Sequence, residues 1–211
     1  TDCGHLTYSE LNSKSDEIAH YFIGLGLNVG DVVSVVGEKS LSTIVFIIGA
    51  IKAGVTYSVF DPDTPVTRLE KIFEKCKPKV VICNASQVLS LGHLEIRSIT
   101  SDDLSTNSQN ATSDVLSLRI DSLTGVSPAY IMFTSGSTGF PKGAIMSHQN
   151  VLNLIAWSCE TYSFGPGEIL TSVNPLFFDN SVFDIFSSLF SGATLVLFDA
   201  QTVRNPAKLL Q

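Results

Sequence analysis

Between Leu6 and Cys83 the apolar positions follow two rhythms in alternation. Leu11, Ile18, Ala19, Phe22 and Leu25 recur at the spacing of one helix face, and Thr7-Tyr-Ser-Glu10 has the form of a capping box ahead of them. Gly24 and Gly26 supply the stop. Val32 to Val36 is short and β-branched, which predicts a strand, and Ser40 to Ala53 is apolar nearly all round, which predicts a buried helix ending at Gly54. Thr56 to Phe60 predicts a second strand. Asp61-Pro-Asp-Thr-Pro65 then predicts a turn in which Thr64 caps and Pro65 opens a helix through Cys76, and Val80 to Cys83 predicts a third strand. Strands separated by helices at this spacing form βαβ units, so the fold class is α/β: a predominantly parallel sheet layered with helices.

Residues 84–127 break the rhythm. They are rich in Ser, Thr, Asp and Asn, and their short apolar pieces, Val88 to Leu91 and Leu116 to Ile120, read as peripheral strands or turns within a surface excursion. Regular patterning resumes with strand Ala129 to Phe133, a Gly-rich loop, strand Ala144 to Met146, helix Asn150 to Tyr162, strand Ile169 to Val173, helix Ser181 to Phe190 and strand Thr194 to Phe198. At the end, Asn205-Pro206 reads as a cap and first-turn proline opening a helix at Ala207. So short a helix is marginal alone, which predicts that the natural protein continues beyond Gln211.

Composition narrows the function. Of 211 residues, 44% are hydrophobic and 16% charged, the balance of a globular chain rather than a disordered one. Thirteen Lys and Arg against twenty Asp and Glu give a formal charge of −7, and no Lys or Arg falls between Lys142 and Arg204, so the basic face that nucleic acid requires is missing. The longest strongly apolar run, Thr43 to Ile51, is far below the ~20 residues that span a bilayer, so no membrane partner is expected. Cys3, Cys76, Cys83 and Cys159 form no C-x-x-C pair and do not gather with the four histidines at metal-ligand spacing, so they are expected to be free thiols of a reducing, cytoplasmic compartment, with no resident metal.

The stretch that carries chemistry is Ile131-Met-Phe-Thr-Ser-Gly-Ser-Thr-Gly-Phe-Pro-Lys-Gly143. An apolar strand runs into Thr134, Ser135, Gly136, Ser137, Thr138 and Gly139, and Lys142 follows Pro141. Glycines let backbone N–H groups turn closely onto an anion, hydroxyls add rotatable donors, and Lys142 adds a positive charge on the same loop. The combination suits phosphate; the plain alternative is a Ser/Gly hairpin between two strands. A P-loop requires G-x-x-x-x-G-K-[ST], whereas here Pro141 precedes the lysine and a strand follows it. The serine-hydrolase elbow G-x-S-x-G is not met, and Gly24, Gly26 and Gly30 miss the dinucleotide fingerprint by one residue and lie after a helix.

T-S-G-S-T-G-F-P-K-G resembles the phosphate-loop signature of the adenylate-forming superfamily, which includes peptide-synthetase adenylation domains, acyl-CoA synthetases and luciferases. Leu6-Thr-Tyr-Ser-Glu-Leu-Asn12 is similar to the opening motif of its amino-acid-activating branch. Lys52-Ala-Gly-Val-Thr-Tyr-Ser-Val-Phe-Asp-Pro62 resembles the second motif, and Phe178-Asp-Asn-Ser-Val-Phe-Asp184 with Ser191-Gly-Ala-Thr194 the fourth. The motifs stand in family order over nearly the whole chain. The resemblance implies the N-terminal part of the large subdomain of a nonribosomal peptide synthetase adenylation domain. The implied reaction is ATP-dependent formation of an aminoacyl-adenylate with release of pyrophosphate, then transfer to the phosphopantetheine thiol of a carrier domain, with Mg2+ accompanying the nucleotide. It assigns Thr134, Ser135, Gly136, Ser137, Thr138, Gly139 and Lys142 to the ATP phosphates, with Thr138 a candidate for approach to Mg2+.

At the substrate end, the resemblance gives Asp179 the amino acid's α-ammonium group, and Asn180 and Phe183, one and four residues on, share a helical face with it. From the residues alone, Asp179 reads equally as a helix cap, and Phe183 as core packing. Trp157 reads as core, and His148 as a polar loop residue capping the helix at Asn150. The family's adenine and ribose motifs, its glutamate ligand for Mg2+ and the catalytic lysine of the C-terminal subdomain have no counterpart in the chain. No complete catalytic set is therefore expected here, and these 211 residues are expected to be inactive alone. Two other readings share the loop: an acyl-CoA or fatty-acyl-AMP ligase, which does not call for Asp179, and a nucleotide-binding module without turnover.

Overall fold

The structure, a computed structural model, describes residues 4–100, 113–135, 141–205 and 207. The chain opens with α1 (Tyr8–Gly24), β1 (Val32–Val36), α2 (Leu41–Ala53), β2 (Thr56–Phe60), α3 (Val66–Cys76) and β3 (Val80–Ile82). There follow α4 (Ala85–Leu91), a 3₁₀ turn at Gly92–Leu94, β4 (Arg97–Ile99) and α5 (Ser113–Asp121). The remainder comprises β5 (Pro128–Ser135), β6 (Pro141–Ser147), α6 (His148–Tyr162), β7 (Ile169–Ser172), α7 (Asn180–Ser191), β8 (Thr194–Leu197) and α8 (Ala200–Val203). Six strands form one sheet in the order β4-β3-β1-β2-β5-β6, parallel except for the β5–β6 pair, and β7 and β8 form a separate parallel pair.

Both faces of the sheet's parallel centre, β3, β1 and β2, are buried, and the alternation of side chains along each strand sorts them cleanly. Val33, Val35, Tyr57, Val59, Val80 and Ile82 point into one cluster with Ile18 and Phe22 of α1 and Ile44 and Ile47 of α2. Val36, Phe60 and Val81 point the other way, against Leu69, Ile72 and Phe73 of α3 and Leu91 of α4. The step from β1 to β2 runs one way across the sheet and the step from β2 to β3 the other. A constant crossover hand therefore puts α2 and α3 on opposite faces, as these clusters show. At the centre, Ser34 and Ser58 stand directly opposite on β1 and β2, and their hydroxyls share a hydrogen bond of 2.9 Å, the satisfaction a buried polar pair requires.

Local signals place the helix ends. The Thr7 hydroxyl accepts from the Glu10 N–H at 3.2 Å and the Glu10 carboxylate accepts from the Thr7 N–H at 2.7 Å, completing the capping box. Ser40 caps α2, and Gly54 takes the left-handed conformation at its end. The α3 start differs from expectation. Pro65 occupies the cap position with no side-chain hydrogen bond, and Thr64 spends its N–H on the Asp61 carbonyl within the turn.

The described parts of residues 84–127 correct the sequence reading more substantially, residues 101–112 of that expected surface excursion lying outside the described residues. Both of their apolar pieces are helical: Val88 to Leu91 lies in α4, opened by a capping box between Asn84 and Gln87, and Leu116 to Ile120 lies in α5. Their polar composition reflects outward faces, while Leu91 and Leu116 are buried in the two clusters. Arg119 fastens α5 in place by donating to the Leu27 carbonyl at 3.0 Å and the Ala53 carbonyl at 3.2 Å, the latter an otherwise open acceptor at the end of α2. The helix expected from Ala207 to Gln211 falls outside the described residues except at its first position.

Contact between α1 and α2 depends on Gly49, where a Cβ would lie 2.6 Å from Ile18 Cβ and Cγ2 and 3.0 Å from the Ser15 carbonyl. Gly49→Ala is expected to lower stability in urea unfolding by about 1–3 kcal/mol through overpacking. Gly24→Ala, at a helical glycine with nothing within 4 Å of an added Cβ, is expected to leave it unchanged or raise it by up to about 1 kcal/mol. Equal losses in both variants would contradict this account of the α1–α2 contact.

Candidate functional site

The hydroxyl-rich stretch leaves the sheet at the end of β5 and returns as β6. The antiparallel register sets Thr134 opposite Lys142 and Ser135 opposite Pro141. Directly opposed residues point to the same face, so the Thr134 hydroxyl and the Lys142 ammonium project together at the mouth of the loop, both exposed. Gly136, Ser137, Thr138 and Gly139 lie outside the described residues. The returning limb is tethered from α3, where Lys75 Nζ donates to the Pro141 carbonyl at 3.0 Å. Gly143 stands opposite Phe133, and a Cβ there would lie 3.0 Å from Phe133 Cε1, so the ring lies across the space that a side chain would take.

That ring borders a cleft of about 320 Å³ at the carboxyl end of β2, lined among others by Phe60, Asp61, Thr64, Arg68, Phe133 and Phe177. It lies where ligands bind in open α/β sheets, because neighbouring β1 and β2 send their following helices to opposite faces and leave a crevice between the departing chains. Phe133 immediately precedes Thr134, and Phe177 comes two residues before Asp179. The cleft therefore brings together chain neighbours of the two segments, which are more than forty residues apart in sequence, while the side chains of Thr134, Lys142 and Asp179 are not part of its described lining.

Asp179 occupies the N-cap position of α7, and its carboxylate accepts from the Asn180 N–H at 3.0 Å. Asp179 and Asn180 are both exposed. The cap reading holds in geometry, although the bond reaches the first helical N–H rather than the second or third that a capping side chain ordinarily satisfies. Asp179 also faces β5, since the Tyr130 hydroxyl is pushed above its ordinary pKa first by burial and then by this carboxylate. The Tyr130 ring lies 5.6 Å from that of Tyr57 and is tilted 31° to it, and the pKa of Tyr57 is raised by burial and by Tyr130.

Phe183 is half-buried and sits in an aromatic group with Trp157, Tyr162 and Phe164, with ring centroids 5.9 to 6.2 Å from its own. Trp157, expected in the core, is 50% exposed on α6. His148 does not cap α6. Ser147 does, through a reciprocal pair with Asn150, and His148 is the first helical residue, with Nε2 buried and unpartnered and its pKa lowered by burial.

Sequence reasoning missed a polar group between the end of β7 and α7. Lys39, in the loop between β1 and α2, donates to the Ser172 carbonyl at the end of β7. Asn174 Nδ2 donates to Asp184 Oδ2 at 3.2 Å, and Asp184 is almost fully buried in α7. Burial pushes the Asp184 carboxyl up against the opposing influence of Asn174 and Lys39. It pushes the Lys39 ammonium down against that of Asp184 and Asp199. The available signal was a carboxylate at position 184 between Phe183 and Ile185, on a helix otherwise apolar inward. Burial raises the Cys76 thiol to about 11 and also raises that of Cys83, so neither is a ready thiolate nucleophile. Among the described residues no three His, Cys, Asp or Glu side chains gather as a metal site, and no helix is long and apolar enough to cross a membrane.

Comparison with known proteins places this arrangement. The chain is 35% identical over 210 residues to an L-proline--[L-prolyl-carrier protein] ligase of Pseudomonas fluorescens, covering 97% of this chain and 42% of that protein. It is 34% identical over 204 residues to gramicidin S synthase 2 of Brevibacillus brevis, covering 97% of this chain and 4% of that one. The chain thus spans less than half the length of these relatives. The crystal structure of the nonribosomal peptide synthetase FmoA3, in its α-methyl-L-serine-AMP-bound form, superposes with a TM-score of 0.72 at 27% identity, over 90% of this chain and 21% of that one. The family model described as AMP-binding enzyme matches residues 1–211, and the chain belongs to that adenylate-forming family.

Proposed function

We propose that this chain forms part of an adenylation domain that activates an amino acid with ATP and hands it to a carrier-protein thiol. What most supports the reading is that β5 serves both halves of the chemistry: its end sets Thr134 opposite Lys142, and Tyr130, on the same face of the strand, lies against the exposed Asp179 carboxylate. In the first step the substrate carboxylate attacks the α-phosphorus of ATP, the bond to the bridging oxygen breaks, and pyrophosphate leaves with its electrons. In the second, a phosphopantetheine thiol on a carrier domain attacks the acyl carbon and AMP departs. Such transfer asks of the protein mainly positioning and charge stabilisation.

The proposed roles follow from chemistry. Hydroxyls of Thr134, Ser135, Ser137 and Thr138 and backbone N–H groups at Gly136 and Gly139 hold the phosphates, and Lys142 balances charge on the departing pyrophosphate. Mg2+ binds chiefly through substrate phosphates and keeps much of its water, so it would arrive with the nucleotide, with Thr138 as the nearby hydroxyl. Asp179 receives the α-ammonium group in a charge-assisted hydrogen bond of about 1.5–3 kcal/mol. Asn180 and Phe183, the latter backed by Trp157, line the side-chain end, and Phe183 favours an apolar substrate. The relatives that bear on this reading are a prolyl-carrier-protein ligase and peptide synthetases. The Asp179 carboxylate favours it over an acyl-CoA or fatty-acyl-AMP ligase, because a fatty acid offers that group no cation.

In the full-length protein carrying this chain, amino-acid-dependent exchange between ATP and pyrophosphate is expected. Asp179→Asn retains a side-chain oxygen for capping and removes the charge, and it is expected to raise KM for the amino acid about 10- to 100-fold. Unchanged KM would leave the fatty-acid reading in place. Lys142→Ala is expected to lower kcat/KM for ATP about 100-fold; turnover at the parent rate would remove this lysine from the phosphate site. The 211 residues alone are expected to support no exchange with any carboxylic acid, and robust exchange by them would refute the assignment of catalysis to the longer protein.

A further inference from the structure

The backbone of α7 at Phe183 is fixed by its neighbours, since Val182, Ile185 and Phe186 are buried in the main cluster. What that leaves to Phe183 is its side-chain rotamer, and a helix allows a long side chain chiefly two of the three χ1 wells. Among the described residues Phe183 packs in neither core cluster. It is half-buried, and the rings against it come from α6 and the turn that follows. Tyr162 meets it at 5.9 Å and 79°, Phe164 at 6.2 Å and 68°, and Trp157 at 6.2 Å and 60°. Edge-on and tilted pairs of this kind are favoured by the quadrupoles of the rings.

Tyr162 is the hub of the group. It also meets Trp157 edge-on at 5.8 Å and stacks on Phe164 at 5.2 Å with the ring planes 16° apart. The backbone shows how the three come together. Tyr162 ends α6, and Ser163 then takes the left-handed conformation at φ 56° while its N–H donates to the Cys159 carbonyl at 2.9 Å. This reversal folds Phe164 back onto Tyr162. The helix itself is held elsewhere, by buried Val151 and Ser158 and by Leu154 and Ile155 against the main cluster. Tyr162 is 53% exposed, so trimming its ring takes little from the core and most from the contact with Phe183.

Asp179 and Phe183 stand four residues apart at the start of α7, on one face of it. An amino acid whose ammonium group meets Asp179 extends its side chain toward the Phe183 ring, and where that ring stands decides how large a side chain fits. We propose that Tyr162 is a positioning residue for side-chain selection: with Phe164 and Trp157 it stops the Phe183 ring from turning toward α6, and so limits the size of the amino acid accepted without touching it. The inference rests on the amino-acid reading above.

The test is steady-state exchange between ATP and pyrophosphate by the full-length protein, with amino acids rising in size from alanine through valine, leucine and phenylalanine to naphthylalanine. Tyr162→Ala is expected to raise kcat/KM for an amino acid larger than the preferred one, relative to the preferred one, about tenfold, while KM for ATP stays within about twofold. Phe164→Ala is expected to shift the ratio in the same direction. Tyr162→Phe keeps the ring and is expected to hold the ratio within about twofold of the parent. Phe190→Ala controls for a general loosening of α7: Phe190 is exposed at the far end of the helix, 5.9 Å from Phe186, and its removal is expected to leave the ratio unchanged.

A ratio unmoved by Tyr162→Ala, or moved as far by Tyr162→Phe or Phe190→Ala, would overturn the proposal. Should Tyr162→Ala lack a cooperative unfolding transition, Tyr162→Leu and Phe164→Leu decide it by the same ratio. A parent protein without amino-acid-dependent exchange would remove both readings, whereas normal exchange by the parent with an unmoved ratio in Tyr162→Ala removes this one alone.

Discussion

A parallel sheet buried on both faces governs this structure. Each internal strand must present apolar side chains to two layers at once, which is why Val32–Val36 and Val80–Ile82 are nearly unbroken β-branched runs rather than alternating ones. Fully burying one such side chain is worth about 1.5–3 kcal/mol, and the strands contribute them on both sides, so slipping a strand by one residue would exchange the two layers. With register held that firmly, the freedom left to the chain lies where strands end. The turn after β2, the loop after β5 and the excursion after β7 are the segments to which chemistry is assigned.

Those segments are polar for a physical reason that differs in each. The limbs around Thr134 and Lys142 carry hydroxyls and a cation that the core has no use for, on an antiparallel pair that extends the sheet past its parallel centre. The turn after β2 and the first turn of α3 bring Asp61, Thr64 and Arg68 to a cleft also lined by Phe60, Phe133 and Phe177, so that charged groups act against a partly apolar wall. The segment after β7 is anchored both by apolar side chains, Leu176 and Val182 in the main core, and by polar contacts: half-buried Lys39 holds the Ser172 carbonyl, and Asn174 holds the almost fully buried Asp184.

Membership of the adenylate-forming family and the α/β class were legible before any coordinates, because they rest on short-range features. The Thr7–Glu10 capping box, the Gly54 stop and the βαβ spacing all act within one or two turns of chain and emerge as read. Val88 to Leu91 and Leu116 to Ile120 were misread because the pattern there is diluted. In α4 and α5 the burial of Leu91 and Leu116 and the two carbonyl bonds of Arg119 outweigh a composition that favours loops. Trp157 was misplaced for the opposite reason: helical spacing says which residues share a face, not whether that face is covered.

By itself, then, the amino-acid order determined which residues become strand or helix wherever the apolar period was strong, and it named the chemical groups on offer: hydroxyls, glycines and a lysine after one strand, an aspartate before one helix. Tertiary structure alone decided that Phe133 and Phe177 share a cleft, that Asp179 is exposed and faces Tyr130, and that Lys39 meets the Ser172 carbonyl across 133 positions of sequence. The reason is that periodicity and capping are enforced by neighbours along the chain, whereas proximity between distant segments follows from how two sheets and their helices pack. No local pattern encodes that packing.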